Sequence, residues 1–97
     1  MGKMTRFEGF STAGIRDGGY YSESEHYWLV RPQAEWEFHD DGSWLGIGGP
    51  GVDGISWALR KGEEGVFAHY PIEERFEWKA KDVESLVAGW IQGQITV

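Results

Sequence analysis

Apolar residues near the C-terminus recur at Val83, Leu86, Val87, Trp90 and Ile91, the spacing of one face of an α-helix. Asp82 stands at the N-cap position and Gly93 where a left-handed C′ residue is expected, so the pattern predicts a helix over 82–92. Gly89 inside it costs about 1 kcal/mol against Ala, which predicts a close approach of helix to sheet at that point. Residues 94–97 read as a short tail.

Upstream the period is 2. Residues 34–39 alternate, with Ala34, Trp36 and Phe38 on one side and Glu35, Glu37 and His39 on the other, as in a half-buried strand. Asp40-Asp41-Gly42 is a turn signal and residues 43–47 return, which makes a hairpin. Ile55, Trp57 and Leu59 alternate with Ser56, Ala58 and Arg60. Residues 66–70 form a further strand closed by Pro71. Phe76, Trp78 and Ala80 are expected inward, against Glu77, Lys79 and Lys81 outward. Earlier, Tyr27-Trp28-Leu29-Val30 is aromatic and β-branched and reads as a strand over 26–31, ended by Pro32, although Ser22 and Glu25 have capping-box spacing. Phe7, Phe10 and Ile15 are anchors for an irregular opening segment. Together these elements predict a single α+β domain over 1–97. It has a mostly antiparallel, twisted sheet of five or six short strands, with the C-terminal helix packed on one face.

Composition sharpens this picture. A chain of 97 residues without cysteine builds its stability by packing, and six Trp, five Phe and four Tyr are the material for it. Sixteen acidic against nine basic residues give a net charge of −7. That balance argues against nucleic acid or an anionic membrane as partner and suits a basic protein. The first residues carry no apolar h-region, no run is long enough to span a membrane, and position 6 is Arg rather than the Ser or Thr of a myristoylation signal. A cytoplasmic location is therefore expected.

Fifteen glycines punctuate the chain, most densely between Gly46 and Gly54. Gly46-Ile47-Gly48-Gly49-Pro50-Gly51 fits G-x-G-x-x-G, but a strand rather than a phosphate-binding helix follows, so a dinucleotide is not expected. Lys61 has no Walker spacing. His26, His39 and His69 show no metal-binding spacing, and His39-Asp40-Asp41 reads as a hairpin turn. There is no nucleophile elbow, and Glu63-Glu64 and Glu73-Glu74 read as solvated loop charges. No catalytic residue, cofactor or metal is expected. Trp36, Trp57, Trp78 and Trp90 fall on faces expected to be buried. Only Trp28 and Trp44 are then free to be exposed, so core packing accounts for the tryptophans better than a sugar-binding platform does.

From Trp44 onward these elements have a recognisable order. A strand ends in Ile47-Gly48-Gly49-Pro50-Gly51-Val52-Asp53-Gly54-Ile55, the next strand ends in Arg60, and an apolar strand leads into a helix with a Ser85-Leu86-Val87 core. This half of the chain resembles the C-terminal half of the SUKH superfamily, which includes cell-wall assembly regulators and bacterial toxin-immunity proteins. The resemblance implies a twisted sheet with packed helices and a protein-binding role without catalytic residues. The expected function is a small acidic interaction module, of immunity type, that binds a basic protein; a second copy of the chain is a further candidate partner. The alternative is a small enzyme or ligand-binding protein with a pocket near the 46–54 loop. In either reading Asp53, Arg60 and His69 are the polar residues singled out, for binding or for ordering that loop.

Overall fold

The computed structural model describes residues 10, 19–23 and 26–97. Seven strands form one antiparallel sheet: β1 (Tyr20–Ser22), β2 (Tyr27–Val30), β3 (Glu37–His39), β4 (Trp44–Gly48), β5 (Ser56–Arg60), β6 (Val66–Tyr70) and β7 (Arg75–Ala80). The path is β1-β2-β4-β5-β6-β7, and β3 also pairs with β4. Strands β2 and β3 thus share one side of β4: Val30 faces Gly48, and Glu37, Phe38 and His39 face Gly46, Leu45 and Trp44. One helix, α1 (Val83–Ile91), follows β7.

Helix α1 starts and stops as its sequence dictates. The Asp82 carboxylate accepts the Ser85 backbone N–H at 2.7 Å. At the other end Gln94 N–H donates to the Gly89 carbonyl at 2.8 Å and Gly93 N–H to the Trp90 carbonyl at 3.1 Å, the paired bonds of a Schellman cap. Val83, Leu86 and Val87 are buried with Leu29, Val30, Leu45, Ile47, Trp57, Leu59 and Val66 in the main core. The expected face needs one correction: Trp90 is half-buried and Ile91 is 75% exposed. Ile91 is the last residue of the helix, beside the Gln92 C-cap. The close approach at Gly89 is also made by a different element. A Cβ there would lie 2.5 Å from Ile95 Cδ1, because the tail folds back over the helix rather than the sheet closing on it.

Two strands depart from simple alternation. After Pro32, a 3-10 turn (Gln33–Glu35) replaces the first half of the expected 34–39 strand, and Trp36 is drawn inward with its indole N–H on the Arg31 carbonyl at 2.7 Å. Phe38 shares the helix-side face with Leu45 but lies at its rim, where it meets Phe10. In β7 the register shifts: Phe67 pairs with Trp78 and Val66 with Ala80. The extra residue, Lys79, acts as a bulge, so Ala80 reaches the helix-side core while Trp78 stays on the opposite face, 55% exposed. Trp78 is therefore not a core residue, contrary to the alternation. Seven strands exceed the five or six expected because β1 and the short β3 each pair separately. Phe7, Ile15, Ser24 and Glu25 lie outside the described residues.

No helix among the described residues is long and apolar enough to cross a membrane.

Candidate functional site

The sheet face away from α1 has its own apolar cluster. Ala58 on β5 is the floor. Trp44 from β4, Phe67 from β6 and Phe76 from β7 pack over it. Small residues are needed beneath, since the rings lie across neighbouring strands: a Cβ on Gly46 would meet the His39 ring at 3.1 Å. His39 stacks on Trp44 with centroids 4.1 Å apart, and His69 lies on the indole at 4.5 Å. Phe76 meets Trp44 edge-on at 5.4 Å and His69 at 4.9 Å. The rings hide one another, so Trp44 is only 5% exposed although no described helix covers it. Trp44, which alternation alone left free to be exposed, is buried by this packing.

Polar groups hold the ends of the row. The Trp44 indole N–H donates to the Asp40 carboxylate at 3.1 Å. The Arg60 guanidinium lies over Phe76 at 4.4 Å and Phe67 at 5.5 Å and pairs with Glu63 at 3.3 Å. The turn at 40–43 and the loop at 61–65 are tied by Lys61 N–H on the Ser43 carbonyl, so the exposed Asp40, Asp41, Glu63 and Glu64 gather at one end of the sheet. Trp78 extends the row at the β7 edge. Its indole lies across Gly65, whose Cβ would fall 2.3 Å from the ring nitrogen. Among the described residues Trp78 has no stacked ring or overlying cation, unlike Trp44 and Phe76.

The structure separates the three residues singled out from sequence. Arg60 and His69 meet through Phe76. Arg60 sits at the far end of β5 from the glycine loop, about 13 Å along the strand at the usual rise of ~3.3 Å per residue, and pairs with Glu63 of the 61–65 loop instead. Asp53 is exposed at the loop tip, with φ 54°, a conformation that Asp tolerates. It belongs to a turn in which Ile55 N–H donates to the Val52 carbonyl at 3.0 Å. The glycines of this loop answer to packing. A Cβ on Gly48 would lie 2.3 Å from the Leu29 carbonyl oxygen, and one on Gly49 2.5 Å from that of Ile55.

His39, Trp44, Phe76 and Trp78 are the site residues that sequence reasoning missed. The available signal was in β4, Trp-Leu-Gly-Ile-Gly, which is apolar on both faces and so belongs to a strand covered on both sides.

Among the described residues no three His, Asp or Glu side chains gather as a metal site. The chain matches no family model, and it matches neither a curated protein nor a solved structure.

Proposed function

We propose that this chain is a protein-interaction module that docks on a basic protein through the sheet face opposite α1, in the manner of an immunity protein acting in the cytoplasm. The observation that carries this reading is Trp78. A half-exposed indole at the end of a rigid aromatic row, beside an acidic loop, has the chemistry of an interface anchor. Trp44, His69 and Phe76 fix the surface around it, so little ordering entropy remains to be lost on binding. Asp40, Asp41, Glu63 and Glu64 supply the charge that a basic partner complements. The resemblance of residues 44–97 to the SUKH superfamily points the same way.

The test uses the partner itself, recovered on the immobilised protein from native lysate and then purified. Its affinity should fall as salt rises, and Asp41→Lys with Glu64→Lys should weaken it further, since neither side chain holds an ion pair among the described residues. Salt-independent binding, or binding untouched by both charge reversals, contradicts the proposal. Sedimentation of the protein alone separates the remaining case: a concentration-dependent doubling of mass abolished by Trp78→Ser would make the partner a second copy.

A further inference from the structure

Between the glycine loop and β2 lies a pocket of about 470 Å³, within the range of small-molecule sites. Trp28, Arg31, Tyr27 and Ser56 line it, with the backbone of Gly48 and Gly49. Its lining contains none of Asp53, Arg60 or His69, although Ser56 pairs with His69 across β5 and β6.

Two features set this pocket apart. First, no carboxylate lines it among the described residues, in a chain of sixteen acidic residues. Second, its arginine differs from the other cations of the sheet. Arg60 pairs with Glu63, and Arg75 and Lys79 pair with Glu77, whereas the Arg31 guanidinium has no carboxylate partner among the described residues. The backbone of Arg31 is nonetheless held from both sides. Its N–H donates to the Ile47 carbonyl at 2.7 Å, and its carbonyl accepts the Trp36 indole N–H at 2.7 Å. The base of the side chain is thereby fixed at the pocket wall. Beside it, Trp28 is braced edge-on by Tyr21 at 5.1 Å and remains 40% exposed, leaving ring surface for a ligand.

From these we infer that the pocket binds a small aromatic carboxylate, its carboxylate on Arg31 and its ring on Trp28. A single planar guanidinium matches a carboxylate through two parallel hydrogen bonds. With one guanidinium and His26 as the basic side chains of its lining, the pocket suits a singly charged carboxylate better than a multiply charged phosphate. The Ser56 hydroxyl is a further donor in the lining.

Three probes separate the contributions: phenylacetate, acetate, and the neutral isostere phenylacetamide. Each is titrated into the ¹⁵N-labelled protein, following the Trp28 indole N–H and the amides of residues 48–56. Phenylacetate should give saturable shifts there, with acetate and phenylacetamide at least about tenfold weaker, the factor expected when a charged hydrogen bond or a stacked ring is lost. Arg31→Met should reduce phenylacetate to the level of phenylacetamide, and Arg31→Lys should recover part of the loss. Absence of a saturable shift, equal binding of phenylacetate and phenylacetamide, or unchanged binding in a folded Arg31→Met protein overturns the inference. The phenylacetamide comparison needs no variant and stands even if Arg31→Met fails to fold. Because this pocket is separate from Trp78, loss of the inference leaves the docking face untouched, and the reverse holds.

Discussion

His39 lies flat on Trp44, the two ring planes 14° apart, and His69 packs on the same indole at 4.5 Å. An indole in contact with two imidazoles and 5% exposed belongs to the packed interior even on a face that α1 does not cover. Trp44→Ala should therefore cost about 3–5 kcal/mol in a urea titration, as for a large core aromatic. A cost below about 1 kcal/mol would mean that the row is loose surface.

Trp57 and Trp90 meet edge-on at 5.7 Å, but only Trp57 is wholly buried. Trp57→Ala should thus fall at or above the ~3–5 kcal/mol range of core aromatics, and Trp90→Ala clearly below it. Equal losses in parallel denaturant titrations would show that the helix end is packed more deeply than the structure has it.

The Ile95 side chain fills the space that a Cβ on Gly89 would occupy. The two positions should be coupled. In an Ile95→Ala background, Gly89→Ala gains the helix propensity of Ala, about 1 kcal/mol. In the native background the same change must first displace Ile95, so the gain should shrink or reverse. A double-mutant cycle with zero coupling would contradict this packing of the tail.

Asp82 caps α1, and the Ser85 backbone N–H holds its carboxyl below the ordinary aspartate range. A carboxyl whose folded value is depressed stabilises the fold fully above its unfolded value, about 3.9, and loses that contribution as pH falls through the lower folded value. Asp82→Ala should cost about 0.5–2 kcal/mol at neutral pH. Asp82→Asn keeps a capping oxygen without titrating. Its stability should approach wild type more closely at pH 3 than at pH 7, measured as urea midpoints. An Asp82→Asn difference independent of pH would remove the linkage.

The helix, its cap, β6 and the inward faces of β5 were legible because each obeys one period and ends at a strong signal: Asp82, Pro71 or Gly93. What alternation could not carry is which face of a strand another element covers. Trp57 and Trp78 sit in similar patterns, yet one faces α1 and the other faces away, because the bulge at Lys79 resets the register only for Ala80. The β7 edge shows the same limit. Glu77 and Lys79, expected outward, form an ion pair, and Lys79 also donates to the Thr96 carbonyl at 2.8 Å, tying down the tail. Hydrogen bonds from Lys79 and Arg75 hold the Glu77 carboxyl below its ordinary range. The candidate site was less legible than the fold. Arg60 and His69 were found by residue type, but their meeting on Phe76 depends on pairing across three strands, and Asp53 belongs to the loop's backbone turn.

The docking face is tested most directly by the affinity of the purified partner for Trp78→Ser, set against wild type and an Ile72→Ser control. Ile72 is 86% exposed in the turn after β6 and lies outside the aromatic row, so it reports loss of exposed apolar surface alone. Calorimetry should show Trp78→Ser weakening the complex by at least about 30-fold, the equivalent of a ~2 kcal/mol interface anchor, with Ile72→Ser unchanged. Equal affinity of wild type and folded Trp78→Ser would contradict the account.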